Sequence, residues 1–368
     1  MLDTLKQILF RNRDQHSIPV MDGNLAPNDR LDRGTVLGSF DDPPDDVAMG
    51  PDGTLYLSCG DAVLRRAADP GAGWEKLAGF DGAAGGLALH PDGRLLVCVA
   101  GQGLAALPLA GDGQTAWLRE AGGEPLHCLT AVSVLADGGL ALTDGARGRV
   151  PGDWTRDLME LGASGRVLAC DAALGAVTVL ADGLGWPAGV IADGEGGLLC
   201  AESWPHTVTR FAASGGRAPV IRNLPGYPGR LSPARGEGFW LAIFAARTHL
   251  VELVLRDPKF RATMMREVPP DGWIAPVLRS TGAYTEPLQG GGIKKLGIVK
   301  PWAPPRSYGL AASFYADGEP RESLHSRVGG ACHGVTAARQ YGDRLLVVSR
   351  GDRKLVECPL GTAGRQED

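Results

Sequence analysis

The segment DDVAMGPDGTLYLSCG, residues 45–60, places two apolar, alternating stretches on either side of a Pro-Asp-Gly turn. The same unit recurs as GGLALHPDGRLLVCVAG at 85–101, TAVSVLADGGLALTDG at 130–145 and AGVIADGEGGLLCAES at 188–203. Gly takes the positive φ that a tight hairpin turn needs, and Asp hydrogen-bonds the backbone next to it. Each unit therefore predicts a β-hairpin, and its Asp is explained by the turn.

The spacing of these turns predicts the architecture. Their aspartates follow one another at intervals of 40, 45 and 56 residues, and one four-stranded propeller blade takes about 40–50 residues. Further units occupy 229–245 and 333–360, and the segment GTVLGSF at 34–40 is expected to pair into the last blade and close the ring. The sequence predicts an all-β, six-bladed β-propeller.

The expected domain boundaries follow from the repeats. Residues 1–33 form an N-terminal extension, 34–361 the propeller and 362–368 a tail. An insertion at about 247–305 interrupts the pattern, and apolar residues at helical spacing around Pro258 predict two short helices over one face. These helices either cover a central pocket or only pack against the propeller. Arg247 is expected on their surface.

Composition narrows the partners. The net charge of -5 provides no basic surface for nucleic acid, so we expect a small-molecule ligand. The seven cysteines are isolated from one another and are expected to be buried, reduced thiols. No stretch approaches the roughly 18 apolar residues of a membrane span, and the N-terminus does not look like a signal peptide. We expect a cytoplasmic protein, and the sequence does not specify its oligomeric state.

Longer segments resemble a known family. WPAGVIADGEGGLLCAESWPHTV, NLPGYPGRL, EGFWLAIFAA and CHGVTAARQYGDRLLVVS are similar, in this order, to the strictosidine-synthase-like family, and the similarity covers about 45–360. The resemblance implies a six-bladed propeller related to the SMP-30/gluconolactonase type, with a ligand site at one mouth of its channel. Its relatives include calcium-dependent lactonases.

The resemblance also implies a divalent ion at that mouth, held by a first-blade carboxylate and by Asn or Asp side chains of later blades. Asp45 or Asp46 matches the first-blade position. The other expected ligand positions carry Ala131, Ala188 and Gly229, and Arg230 follows as a cation. We therefore assign no metal or cofactor, and a residual calcium site is the one alternative left open. The family's sixth-blade glutamate is also missing, so strictosidine synthase activity is not expected.

Candidate site residues are the titratable and aromatic side chains expected near the mouth. His333, Glu202 and Asp46 are the catalytic candidates, because a carboxylate can orient an imidazole that acts as a general base. The substrate-binding candidates are Asp45, His127, Asp144, Trp186, Trp204, His206, Tyr227 and Arg230. Several of them also have a purely structural explanation: a backbone hydrogen bond for His333, a turn for Asp144, a blade edge for Glu202 and Trp204, and a corner between two prolines for Tyr227.

The leading functional hypothesis is hydrolysis of an ester or lactone at the channel mouth. His333 would activate water, and Arg230 would stabilise the oxyanion. The alternatives are a non-catalytic propeller that binds a small molecule and a metal-independent enzyme that forms C–C or C–N bonds. Whether the protein is an enzyme stays open at this stage.

Overall fold

The architecture of the computed structural model is a six-bladed propeller. The structure describes residues 17–69, 71–111, 113–283, 286–287, 293–295, 298–300 and 307–361, with only the backbone of 293–295 and 298–300. Within these ranges, six four-stranded antiparallel sheets follow one another along the chain. The all-β, six-bladed fold predicted from the repeats is confirmed.

Each blade runs from an inner to an outer strand. The strands are numbered along the chain, and β1 (Thr35–Ser39) belongs to the last blade. Blade 1 contains β2 (Pro44–Met49), β3 (Leu55–Cys59), β4 (Ala62–Arg66) and β5 (Glu75–Gly79). Blade 2 contains β6 (Ala84–Leu89), β7 (Arg94–Val99), β8 (Gly103–Pro108) and β9 (Ala116–Leu118). A short hairpin, β10 (Glu120–Ala121) and β11 (Glu124–Pro125), precedes blade 3.

The remaining blades have the same order. Blade 3 contains β12 (Leu129–Val134), β13 (Leu140–Asp144), β14 (Gly165–Cys170) and β15 (Val177–Leu184). Blade 4 contains β16 (Pro187–Ala192), β17 (Leu198–Glu202), β18 (Thr207–Phe211) and β19 (Arg217–Ile221). Blade 5 begins with β20 (Gly226–Pro233) and β21 (Phe239–Ala246); β22 (Ile293–Lys295) and β23 (Ile298–Lys300) form a separate hairpin. Blade 5 then ends with β24 (Gly309–Phe314) and β25 (Pro320–Ser326), and blade 6 contains β26 (Val335–Tyr341), β27 (Arg344–Ser349), β28 (Lys354–Pro359) and β1.

The ring is closed by the first strand. β1 pairs antiparallel with β28, with Val36 opposite Val356, as the sequence predicted. The innermost strands β2, β6, β12, β16, β20 and β26 contact one another in turn, and β26 also contacts β2. These six strands surround the central channel, so residues far apart in sequence meet there.

The Asp-Gly turns have the predicted geometry. Gly53 and Gly138 have φ values of 83° and 84°, in the left-handed region that favours glycine. Asp52 Oδ1 accepts a hydrogen bond from the Thr54 backbone N–H at 3.0 Å. These aspartates stabilise turns away from the channel.

In the part of the chain that the structure describes, the α-helices lie in insertions between strands. The helix α1 (Trp154–Glu160) lies between β13 and β14, and the sequence analysis did not predict it. The predicted pair in blade 5 is confirmed as α2 (His249–Arg256) and α3 (Pro258–Glu267), and Pro258 occupies the first turn of α3, where its missing N–H costs nothing. Short 3₁₀ turns span Gly23–Leu25, Pro151–Asp153 and Pro270–Gly272.

The α2–α3 pair packs on the mouth side of blade 5. Val251, Val254 and Met264 form an apolar cluster with Tyr227 of β20, and residues of α1 join this cluster. Arg247 was expected on the surface, and that expectation is wrong. Its guanidinium is buried and donates to Glu252 Oε1 at 2.7 Å, so it ties the start of α2 to the propeller.

Two further expectations can be compared with the structure. All seven cysteines are buried, free thiols, as predicted. In the described part of the chain, no helix is both long and apolar enough to cross a membrane. The expected extension 1–33 and tail 362–368 fall partly or wholly outside the described residues, and the proposed domain boundaries stay predictions.

The close approach of two innermost strands generates the first prediction. A Cβ at Gly189 would lie 2.6 Å from Gly229 O and 2.7 Å from Leu231 N, both backbone atoms. We expect Gly189→Ala to lower the free energy of unfolding by about 1–3 kcal/mol, because the strands must separate. Urea unfolding measures this. The matched control is Gly216→Ala, whose Cβ would meet nothing within 4 Å; equal losses in both variants would contradict the tight packing.

Candidate functional site

A cavity of about 320 Å³ lies at the mouth where the innermost strands begin. We call it the mouth cavity. Every blade contributes to its lining from the innermost strand, through Asp45, Ala84, Thr130, Ala188, Arg230 and Thr336. Its size is typical of a site for a small organic molecule.

The walls of the mouth cavity are largely apolar. Trp186 lines it and stacks on Trp204 behind, with ring centroids 5.3 Å apart. Trp154 of α1 and Phe244 of β21 also line it and meet edge to face at 5.5 Å. Leu278, from the segment that follows α3, completes the rim. The insertions thus supply part of the wall, which an apolar or aromatic ligand would contact.

The floor of the mouth cavity is charged. Asp45 Oδ2 accepts from Arg230 Nη2 at 2.5 Å, and Asp45 Oδ1 accepts from Arg350 Nη1 at 2.9 Å. Arg230 also donates to the Asp45 carbonyl at 2.9 Å and to the Thr130 carbonyl at 2.8 Å. The two guanidiniums outnumber the carboxylate, so the floor carries a positive charge.

These ion pairs determine the protonation of the floor. Burial by itself raises the pKa of Asp45, but the guanidiniums of Arg230 and Arg350 outweigh it, and the pKa lies below its ordinary value. Burial lowers the pKa of Arg230, and Asp45 and Asp46 more than compensate, so its pKa is raised. Asp45 and Arg230 are therefore both charged at neutral pH.

A second layer of charge lies deeper in the channel. Asp46 is completely buried, and its carboxylate accepts from Arg339 Nε at 2.9 Å and Nη2 at 2.6 Å. The Leu87 backbone N–H donates to it at 2.8 Å, and Arg230 Nε lies 3.5 Å away. Asp46 was a catalytic candidate, but its oxygens accept hydrogen bonds from Arg339 and Leu87. It is not among the described residues that line the mouth cavity. The geometry supports a structural role.

His333, the predicted base, lies beside the mouth in blade 6. Its Nδ1 accepts from Arg279 Nη1 at 2.9 Å and from Ser307 Oγ at 2.7 Å, so its Nε2 carries the proton and donates to Arg327 O at 2.9 Å. The His333 backbone N–H donates to Asp352, which is also paired with Arg279. Both ring nitrogens are therefore engaged, and His333 is outside the described lining of the mouth cavity. A catalytic role stays a prediction that this geometry does not support.

Glu202, His206 and Tyr227 are buried outside the mouth cavity, and His206 and Tyr227 are in contact with each other. Glu202 Oε1 accepts from Thr209 Oγ1 at 2.9 Å within blade 4. His206 Nε2 is 3.7 Å from Glu252 of α2, and its ring meets Tyr227 edge to face at 4.7 Å. All are buried. His206 and Tyr227 link blades 4 and 5 to α2, and none of the three residues belongs to the described lining.

Asp144 and His127 lie apart from the others. Asp144 Oδ2 accepts from Arg166 Nε at 3.0 Å and Nη2 at 2.6 Å, which binds two strands of blade 3 together. Burial raises the pKa of Asp144 despite this pair. His127 is exposed, and its carbonyl accepts from the Gly101 N–H. Of the predicted site residues, the structure thus brings Asp45, Trp186 and Arg230 to the mouth cavity, with Trp204 directly behind.

Comparisons with known proteins agree with the fold and the sequence segments. The model of the strictosidine synthase-like N-terminal family matches residues 23–61. The Arabidopsis thaliana protein strictosidine synthase-like 6 is 28% identical over 227 residues, 59% of this chain and 61% of that protein. The adipocyte plasma membrane-associated protein of Danio rerio is 30% identical over 171 residues, 44% of this chain and 41% of that protein. The resemblance to the strictosidine-synthase-like family is confirmed.

Solved structures extend the likeness to the whole propeller. A gluconolactonase from Xanthomonas campestris superposes with a TM-score of 0.58 and 17% identity, covering 89% of both chains. This degree of identity shows the fold alone. The chain also spans less than two thirds of the length of the two curated relatives, so their activities do not transfer to it directly.

The channel of this propeller does not fit the divalent ion that the family resemblance implies. A hard cation needs about six oxygen ligands, yet Ala131, Ala188 and Gly229 offer no side-chain oxygen. Both carboxylate oxygens of Asp45 already accept from guanidiniums. Across the described ranges, no three His, Cys, Asp or Glu side chains come together to hold a metal.

Sequence reasoning missed four important residues of the mouth cavity: Arg350, Trp154, Phe244 and Leu278. The sequence does contain a signal for Arg350. Ser349–Asp352 reads SRGD and repeats the SCGD of blade 1, 58–61, so both occupy the end of the second strand of a blade. That position faces the mouth in blade 6. Trp154 and Leu278 come from insertions, for which the repeats provide no register.

The buried state of His333 predicts a pH dependence of stability. Burial lowers the pKa of His333 in the folded chain, whereas the pKa of a histidine in an unfolded chain is about 6.5. Below about pH 6.5 the unfolded chain therefore binds a proton that the folded chain excludes, so stability is complete above this pH and falls as the pH drops towards the folded value.

We expect His333→Gln to reduce the slope of unfolding free energy against pH between about pH 6.5 and 4.5, measured by urea unfolding. Some slope remains, because burial also lowers the pKa of His325, to about 4. The control is His127→Gln, at an exposed site. An unchanged slope in His333→Gln would contradict a buried neutral imidazole.

Proposed function

We propose that the mouth cavity binds a small, largely apolar organic molecule whose anionic or carbonyl oxygen faces Arg350. One observation carries the proposal: a cavity with Trp and Phe walls ends on a guanidinium that still has donors to offer. Arg350 uses Nη1 for Asp45, and its guanidinium makes no other hydrogen bond among the described residues. Its side chain is 30% exposed, so the remaining N–H groups can reach a ligand.

Arg230, the oxyanion-binding candidate of the sequence analysis, is less suited to this task. Its Nη1 and Nη2 donate to Asp45 and to the Thr130 carbonyl, and Nε faces Asp46. Arg230 contributes to ligand binding only through the positive charge that it adds to the floor. Arg350 is therefore the residue that we assign to direct contact.

Hydrolysis of an ester or lactone is the second candidate, favoured by the ionised carboxylate of Asp45 beside two guanidiniums. In this reaction water attacks the carbonyl carbon, its proton passes to Asp45, and Arg350 stabilises the oxyanion; the C–O bond then breaks, and the leaving alkoxide takes that proton back from Asp45, which restores the carboxylate. The lowered pKa makes Asp45 a weak base. Cys98 also lines the cavity, but burial raises the pKa of its thiol to about 12, which disfavours it as a nucleophile.

We also propose the class of partner and the cellular compartment. The net charge of -5 argues for a small-molecule partner and against nucleic acid. The cytoplasm is the compartment that we propose, because seven free cysteines suit a reducing environment.

Binding is tested with 2-naphthoate and its neutral methyl ester, methyl 2-naphthoate, by isothermal titration calorimetry. We expect Arg350→Ala to weaken 2-naphthoate binding about 10- to 100-fold, since a hydrogen bond to a charged group is lost. Arg350→Lys should lose less, and methyl 2-naphthoate should be less affected. The control is Arg235→Ala, a surface residue paired with Asp343. Equal affinity of Arg350→Ala and the wild type for 2-naphthoate would contradict the assignment.

Hydrolysis is tested with methyl 2-naphthoate and the aromatic lactone dihydrocoumarin. We expect Asp45→Asn to lower any turnover at least about 100-fold, as loss of a general base does, while 2-naphthoate binds more tightly because the floor becomes more positive. Product formation is followed by absorbance, and far-UV circular dichroism checks the fold. Turnover that persists in Asp45→Asn would remove this carboxylate from the mechanism; turnover absent from the wild type leaves the binding function alone.

A further inference from the structure

The position of Arg230 is unusual for a charged side chain. It lies on β20, an innermost strand of blade 5, and reaches acceptors on three other blades. Nη1 donates to the Asp45 carbonyl of blade 1 and lies 3.5 Å from the Thr336 carbonyl of blade 6. Nη2 donates to the Asp45 carboxylate and to the Thr130 carbonyl of blade 3. One guanidinium therefore joins four of the six blades.

Small residues on the remaining blades make room for this group. A Cβ at Gly85 of blade 2 would lie 3.3 Å from Asp45 Oδ2 and 3.6 Å from Arg230 Nη2. A Cβ at Gly189 of blade 4 would lie 2.9 Å from Arg230 Cα. All six innermost strands are thus fitted around the same point, either by a contact with the guanidinium or by the absence of a side chain.

The charges around this point are already balanced by the chain itself. Arg230, Arg339 and Arg350 face Asp45 and Asp46, and each carboxylate is bound by two guanidiniums or lies next to a second one. A divalent ion would add two positive charges to a set that is already net positive, and it would compete for occupied oxygens. Such an ion is repelled rather than bound.

We propose that Arg230 is a built-in cation, which occupies the channel position of a divalent ion and holds the inner strands together in its place. A guanidinium presents five N–H donors in a plane, which suits several carbonyl and carboxylate acceptors at once. The stability of this propeller is then independent of divalent ions. The proposal does not depend on the function of the mouth cavity.

The first test uses the full-length protein after treatment with EDTA. Its Tm is measured by differential scanning calorimetry with and without millimolar Ca²⁺, Mg²⁺, Mn²⁺ or Zn²⁺, because an ion that binds the folded state raises Tm. We expect a shift below about 1 °C for each ion. A saturable rise in Tm, together with stoichiometric binding of one ion by calorimetric titration, would overturn the proposal.

The second test removes the cation. We expect Arg230→Met to lower Tm by about 5–10 °C, because two buried carboxylates lose a partner. Arg235→Met, at an exposed end of the same hairpin, is the control and should leave Tm unchanged. If Arg230→Met does not fold, Arg230→Lys keeps the charge with fewer donors and should show a smaller decrease.

A double-mutant cycle identifies the partner. The decrease in Tm caused by Arg230→Met should be clearly smaller in an Asp45→Asn background, because the carboxylate that needs the guanidinium is then neutral. Full additivity of the two changes would show that Arg230 does not act through Asp45 and would overturn the proposal. Loss of ligand binding without these changes in Tm would concern the proposed function only.

Discussion

The structure depends on the ion pair between Arg230 and Asp45. A buried charge is costly without a partner, so the loss of either residue destabilises the folded chain. Because the two lie on blades 5 and 1 and their neighbours Thr130 and Thr336 on blades 3 and 6, the pair constrains the distances between innermost strands across the whole channel. The shape of the mouth cavity follows from those distances. Its floor is a product of the fold and does not require an added group.

Much of the fold was predictable because its signals are local. An Asp-Gly turn between alternating strands specifies a hairpin by itself, and its repetition specifies the blades. The closing strand β1 was predictable because a propeller needs its ring sealed and 34–40 was the one strand-like segment before the first repeat. The helix α1 was missed, since a single helix of seven residues has too few turns to show a helical period. Helices α2 and α3 together were long enough to show one.

The site was predictable only in part, because the side-chain direction of neighbouring residues differs within a strand. Asp45 and Asp46 are adjacent in sequence, yet one lines the mouth cavity and the other lies deeper in the channel. His333 belongs to the mouth by topology, but Arg279 and Ser307 occupy its Nδ1. Both of those partners come from the inserted segment or just after it, and no repeat gives their position. Residue type and blade number therefore locate a mouth, whereas hydrogen-bond partners decide which side chains are available there.

A guanidinium at the channel centre also limits the chemistry of the site. A metal ion coordinates water and lowers its pKa, and it polarises a carbonyl as a Lewis acid. Arg230 can do neither, because its Nη1 and Nη2 groups donate to the protein and a guanidinium has no open coordination position. The floor offers a ligand positive charge and hydrogen bonds. The hydrogen bonds come from Arg350, which lies next to the Arg230–Asp45 ion pair. Because Arg230 takes the place of a divalent ion, the site is best suited to ligand recognition. Any hydrolysis must rely on the weakly basic carboxylate of Asp45.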